Sequence, residues 1–181
     1  MNIFYENIDA IDQFTMNLHT DPTLTCTHCQ KQGNLMSHGF IYEEKQHRKK
    51  PVGKRIFCSN RHGKEGCGRT IRLYIARIIP SFQYDTDHLF IFITSLLSFF
   101  SIKDSYKKAT QVKNERNAYR WIIKMWKKII EYRKLLPHHY STLKAKNFRS
   151  IRFQILLPTL SELLSLFTPD QFQSFCQNTF L

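Results

Sequence analysis

Apolar residues recur along this chain with two different periods, and the switch between them divides it. Ile8, Ile11, Phe14 and Leu18 fall three or four residues apart, with Asp9, Asp12 and Gln13 between them, which predicts a short amphipathic helix over 6–18. Asp21-Pro22 marks its end. From Cys26 to Ala76 the texture becomes short and β-prone. One strand is expected over 35–42, interrupted by Gly39, and a second over 52–57. The polar, basic segment 43–51 between them reads as a loop or long hairpin tip. Over 70–76, Ile71, Leu73 and Ile75 alternate with Arg72 and Tyr74, the signature of a half-buried third strand.

After Pro80 the period turns helical. Leu89, Ile93, Leu96, Leu97 and Phe100 lie on one side of a helix over 85–100. Ser101 with Asp104 three residues on is a helix start of the capping-box kind, opening a short helix with Ile102, Tyr106 and Ala109 on one face. The pattern breaks over 110–113. Asn114 caps a long helix that runs to about residue 135, with Ala118, Ile122, Met125, Ile129 and Tyr132 as its buried stripe, and Pro137 ends it. Two more amphipathic helices are expected over 155–167 and 170–180, separated by Thr168-Pro169. Adjacent side chains diverge, so His138-His139 is read as loop.

The expected fold class is therefore α+β: a small three-stranded sheet, a helical module and a helical C-terminal tail. The expected segments are 1–22 (N-terminal helix), 23–80 (sheet), 81–136 (helical module) and 137–181 (tail). A sheet of about 50 residues buries too little surface to stand alone and needs a staple.

Five cysteines and no export signal point to metal or reduced thiols rather than disulfides. Cys26-Thr27-His28-Cys29 puts two thiolates on one tight turn. Cys58 and Cys67 follow the second strand across a wider loop, in which Gly63, Gly66 and Gly68 supply backbone freedom. Two such pairs on strand-like sequence make a four-cysteine zinc ribbon around one structural Zn2+. His28 and His62 are rival ligands ranked below the cysteines, and Cys176 in the tail is read as packed or incidental. Four protein ligands leave no open position, so the ion is expected to fold the sheet and to do no chemistry.

Charge changes the picture most. Lys and Arg number 27 against 14 Asp and Glu, a net +13. Residues 45–79 hold eleven cations and one acid, Glu65; residues 103–134 hold eleven more, against Asp104, Glu115 and Glu131. Two cationic runs, each beside a module, favour a polyanion, nucleic acid before a membrane surface. The start, with Glu6, Asp9 and Asp12, is no signal peptide. The longest nearly uncharged run, residues 89–101, falls short of the roughly 20 apolar residues that a membrane span needs. A cytoplasmic, nucleoid-associated protein is expected.

A helix, a short capped helix, a brief turn and a long basic helix read together as helix-turn-helix, whose second helix enters the major groove. The groove-facing residues are then Glu115, Arg116, Asn117, Tyr119 and Arg120; Arg suits guanine and Asn suits adenine. Lys107, Lys108, Lys113, Lys124, Lys127 and Lys128 would contact phosphates, and Arg69 and Arg72 extend the DNA surface beside the metal. No Gly-rich phosphate loop, Ser-His-Asp arrangement or HExxH motif is present, so no enzymatic activity is expected.

Cys26-x-x-Cys29, then Phe57-Cys58 and Cys67-Gly68-Arg69-Thr70, an Ile79-Pro80 step, and Tyr119-Arg120-Trp121 ahead of Met125-Trp126 together resemble the zinc-ribbon plus helix-turn-helix proteins of bacterial insertion sequences. The resemblance covers residues 25–135. It implies zinc on the four cysteines and binding of duplex DNA at an element's terminal repeats or promoter by the 116–120 region. Past residue 136 only Glu162 and Asp170 are acidic, too few for a three-carboxylate nuclease site, which implies an accessory or regulatory role in transposition. Expected partners are double-stranded DNA and either a transposase or a second copy. Two alternatives stand beside this: a module that docks on a transposase or polymerase, favoured by an exposed apolar face around Leu156, Leu160, Leu163 and Leu164, and an RNA-binding ribbon protein.

Overall fold

The computed structural model describes residues 1–18, 20–45, 48–136 and 151–181. Their elements are β1 (Asn2–Tyr5), α1 (Ile8–Asn17), β2 (Leu35–Lys45), β3 (Arg48–Cys58), β4 (Thr70–Ile75), α2 (Thr86–Leu97), α3 (Ile102–Thr110), α4 (Glu115–Lys127), α5 (Ile129–Lys134), α6 (Ile151–Leu166) and α7 (Pro169–Cys176). They separate into two units, Met1–Pro80 with Gln173–Asn178, and Ser81–Phe172 with Thr179–Leu181. The chain is thus α+β. The Pro137 stop, His138-His139 and the first part of the expected tail lie outside the described residues. No helix among those described is long and apolar enough to cross a membrane.

The first unit holds a sheet of four strands, not the three expected, in the order β1-β4-β3-β2. β2–β3 and β3–β4 are antiparallel, whereas β1 lies parallel to β4 with Phe4 opposite Tyr74. Four residues are too few to declare a period, so β1 exists through its long-range pairing alone. As an edge strand it presents unpaired backbone groups. The Gln177 amide covers them: the Phe4 N–H donates to Gln177 Oε1 at 2.8 Å, and Gln177 Nε2 donates back to the Phe4 carbonyl at 2.9 Å.

The β2–β3 hairpin is longer than its apolar pattern predicts. Glu43 is in register with Lys50 and Glu44 with Lys49, so opposite charges stand across the strands of this two-stranded extension. Gly39 lies in the register shift between Ser37 and Phe40 at φ +91, a conformation in which glycine is unstrained. The opposite sides of the sheet differ sharply. Ile56, Ile71 and Leu73 are buried with Ile11 and Leu18 of the N-terminal segment, and this core runs on into Cys26, Leu35 and Cys58. Lys54, also on this side, reaches Asp12 at 2.8 Å as a charge contact rather than an aligned hydrogen bond, donates to Thr15 Oγ1 at 3.0 Å, and so ties α1 to β3. On the other side Phe4, Tyr74 and Ala76 make a small cluster with Ile41 and Ile78. Gln173, donating to the Ala76 and Ile78 carbonyls, belongs to the same end of the sheet.

The second unit begins with three well-capped helices. Asp85, Ser101 and Asn114 each accept the backbone N–H three residues on, from His88, Asp104 and Asn117. Gln111, in the left-handed conformation at φ 60, closes α3. The expected long helix is interrupted at Lys128 (φ −95, ψ 3), which divides it into α4 and α5. Its stripe of Ala118, Ile122, Met125, Ile129 and Tyr132 is buried, and Trp121 joins it. The Trp121 ring meets Tyr106 at 5.0 Å, Phe82 and Phe92 at 5.1 Å and Tyr84 at 5.6 Å between centroids, mostly edge-on, as ring quadrupoles prefer. Farther along, Tyr132 meets Phe172 and Phe180, and its hydroxyl donates to the Phe180 carbonyl. Leu156, Leu160 and Leu163 of α6 are fully buried.

Trp121→Ala removes the ring on which four others converge and is expected to cost about 3–5 kcal/mol. Urea unfolding followed by circular dichroism at 222 nm checks this; an unchanged midpoint would take Trp121 out of the core.

Candidate metal centre

Two tight turns carry the four cysteines together. In the first, Gln30 takes a positive φ of 59 and its N–H donates to the Cys26 carbonyl at 2.8 Å, while the Cys26 N–H donates to the Lys31 carbonyl at 3.0 Å. The turn is closed below by the Thr25–Gln32 bridge and by the Gly33 N–H on the Leu24 carbonyl. In the second, the N–H of Gly68 (φ +71) donates to the Cys58 carbonyl at 2.9 Å, and the Cys58 N–H returns to the Arg69 carbonyl at 3.0 Å. The wide Cys58–Cys67 spacing therefore still yields a compact turn, because residues 59–66 fold out as a loop pinned by the Gly66 N–H on the Ser59 carbonyl at 2.7 Å. Gly66 has no room for a side chain. A Cβ there would lie 2.2 Å from the Ser59 oxygen and 2.7 Å from Cys58 Sγ.

The four Sγ atoms all lie within 4.8 Å of one another. Cys26 and Cys67 are 3.8 Å apart and Cys29 and Cys58 3.7 Å, so each short edge links one turn to the other. A disulfide needs about 2.05 Å, so these are four free thiols. Metal–sulfur bonds of about 2.3 Å in a tetrahedron set the sulfurs about 3.8 Å apart, which matches both edges. The site is compatible with one structural metal ion.

Its surroundings suit thiolates. The His28 N–H points at Cys26 Sγ at 3.4 Å and the Cys67 N–H at Cys58 Sγ at 3.3 Å. Cys26 and Cys58 are fully buried and continuous with the core; Cys29 and Cys67 are half-buried. Burial pushes the Cys58 thiol up to about 12, while the backbone N–H of Lys31 is the main cause holding Cys29 down to about 7. Neither His28 nor His62 joins the four-sulfur cluster; His62 lines an open cavity on the sheet. Cys176 is half-buried and outside the cluster.

The residues expected on DNA are distributed over both units. Arg69 and Arg72 are exposed in the first. Lys107, Lys108, Lys113, Arg116, Tyr119, Arg120 and Lys124 are exposed along α3, α4 and the intervening turn of the second, with Asn117 half-buried. Arg120 Nη1 donates to Asn117 Oδ1 at 3.3 Å, and Glu115 is paired with Lys103 at 2.5 Å. Lys124 lies over the Phe82 ring and Lys108 over Phe100. Lys128 differs from the other lysines: it is half-buried, donates to the Thr179 carbonyl and hydroxyl, and faces Glu131 at 3.6 Å, so it anchors the 179–181 segment. Sequence reasoning missed Arg55, whose partner in register is Arg72.

The chain matches no protein-family model, and no curated protein and no solved structure is significantly similar to it.

Cys26→Ser is expected to abolish stoichiometric metal binding and unfold the first unit, read by elemental analysis and proton NMR dispersion; full metal content with an unchanged spectrum would refute the ligand set. Because ligation requires deprotonated sulfur, lowering the pH favours the thiols over the complex. Acidification is therefore expected to release the ion, seen with a chromogenic chelator. Gly66→Ala is expected to weaken metal retention about tenfold or more, because its Cβ meets backbone oxygen rather than a movable side chain.

Proposed function

We propose that this is a zinc-stabilised DNA-binding protein without enzymatic activity, in which the four cysteines hold a single Zn2+ as a zinc ribbon and α3 and α4 act as a helix-turn-helix. The observation that carries the reading is the four-sulfur cluster with tetrahedral edges, together with an acid-poor, exposed row of cations along α3–α4. Among ions that accept four thiolates, zinc suits a closed site with no redox task. The four-residue stretch Gln111–Asn114, a left-handed closure followed by a capped start, supports the helix-turn-helix reading.

In this reading Arg116, Asn117, Tyr119 and Arg120 at the start of α4 face base edges, and Lys107, Lys108, Lys113 and Lys124 contact phosphates. The Arg120–Asn117 hydrogen bond orients both side chains before DNA arrives. Arg69 and Arg72 add phosphate contacts. A regulatory or accessory role for a mobile element rests on the resemblance of the cysteine turns and the Tyr119-Arg120-Trp121 segment to insertion-sequence proteins. Of the apolar face that would favour the rival docking-module reading, Leu156, Leu160 and Leu163 are buried and Leu164 is half-buried.

Arg116→Ala with Arg120→Ala is expected to weaken binding to a cognate duplex by about 1–3 kcal/mol per lost guanine contact and to leave zinc content intact. Genome-wide capture with the purified protein, followed by titration of the enriched duplex, measures this. Affinity equal to wild type would remove α4 from the interface, and iron instead of zinc in natively purified material would overturn the metal.

A further inference from the structure

The side of the sheet away from α1 carries a feature that the helical reading does not use. Arg55 and Arg72 stand directly opposite each other on β3 and β4, both exposed. Like charges so placed repel. Neither is ion-paired among the described residues. The nearby acids of this unit are engaged elsewhere, Asp12 with Lys54 on the opposite side and Glu65 with Lys31. An arrangement of this kind is stabilised by an anion laid across the pair.

Two residues along the same strands the surface becomes aromatic. Phe57 is paired with Thr70 and with Met36, so by strand alternation all three share the side of Arg55 and Arg72. The exposed His38 ring lies 5.9 Å from that of Phe57, tilted by 39°. Met36, His38 and Phe57 line an open cavity of about 310 Å3 whose other walls are the hydroxyl-bearing Ser37, Ser59 and Thr70, the cationic Arg61 and the imidazole of His62. An apolar floor, hydroxyls at the edge, Arg61 on one wall and the Arg55–Arg72 pair two residues along the strands match one kind of ligand: a nucleobase with its phosphates. Duplex DNA keeps its base faces stacked and offers only edges and backbone. An unpaired base offers the π-face that such a floor takes.

We propose that this side of the sheet binds a single-stranded segment of nucleic acid, with one unpaired base in the Phe57–His38 cavity and the adjoining backbone phosphate across Arg55 and Arg72. The surface extends the nucleic-acid reading given above but stands on different residues from those of α3 and α4. Single-strand binding in the same chain as a duplex reader suits a protein that acts where strands are opened or ended.

The test uses the full-length, metal-loaded protein and fluorescence anisotropy with three probes: a deoxythymidine oligomer and a uridine oligomer of about twelve nucleotides, and a duplex of similar length. Arg55→Ala is expected to lower single-strand affinity at least about fivefold while changing duplex affinity less than about twofold, with metal stoichiometry unchanged. Phe57 is half-buried beside a ligand, so Phe57→Leu, which keeps apolar bulk and removes the ring, is the second variant. It is expected to lose about fivefold or more in single-strand binding and to abolish photo-crosslinking of a 5-iodouridine probe to the 36–57 region. The relative affinity for the two oligomers identifies the strand as DNA or RNA. Single-strand affinity within about twofold of wild type in both variants, or a duplex loss equal to the single-strand loss, overturns the proposal. Duplex binding by the wild type without oligomer binding sinks this surface and spares the α4 reading; oligomer binding without duplex binding does the reverse.

Discussion

Four cysteine sulfurs gathered within 4.8 Å of one another, a cluster compatible with one structural metal ion, join the two loops at the end of the first unit's core. The sheet is small, its β2–β3 extension is solvated on both sides, and its buried core is limited to residues such as Ile11, Ile56, Ile71 and Leu73. Cys26 and Cys58 belong to that same core, so any ion they hold sits at the end of the apolar layer and closes it. Both short edges of the cluster run between turns, joining residues 26–29 to 58–67 across the base of the hairpin. A metal at this point stabilises by removing freedom from two loops at once, which burial over so small a sheet does not accomplish.

The second unit solves the same problem differently. It has no metal cluster among the described residues and is held by rings, with Trp121 surrounded by Phe82, Tyr84, Phe92 and Tyr106 and a second group formed by Tyr132, Phe172 and Phe180. Concentrating the core in a few large side chains leaves the outer surfaces of α3 and α4 free for cations. The interior of the unit places no demand on Lys107, Arg116 or Arg120, and their charge is available to a partner. Lys128 is the exception. Burial lowers its pKa, and its ammonium group is used on Thr179 and Glu131.

Across the molecule, the cations that make structural contacts can be told from those that do not. Lys54, Lys31 and Lys103 each have a carboxylate partner. Arg55 and Arg72 stand opposite each other, with Arg72 also beside Asn2 of β1, and neither has a carboxylate partner among the described residues. That distinction underlies the two proposed surfaces, one on the helices for a duplex and one on the sheet for an unstacked base.

Local chemistry determined much of this protein from its sequence. The caps Asp85, Ser101 and Asn114, the buried stripe from Ala118 to Tyr132, the alternation on β4 and the cysteine pairs were all legible, because each depends on residues a few positions apart. Of the two readings of residues 43–51, loop or long hairpin tip, the strand pairing of Glu43 with Lys50 and Glu44 with Lys49 selects the hairpin, which residues without an apolar period could not do from sequence. Only the tertiary structure decided the rest: that Asn2–Tyr5 becomes a fourth strand, that Gln177 covers its edge, that Leu156, Leu160 and Leu163 are buried, and that Arg55 stands against Arg72 beside an aromatic cavity. These features join residues up to 173 positions apart, and such partners are selected by the closing of the sheet and the packing of its two sides, which no window of sequence contains.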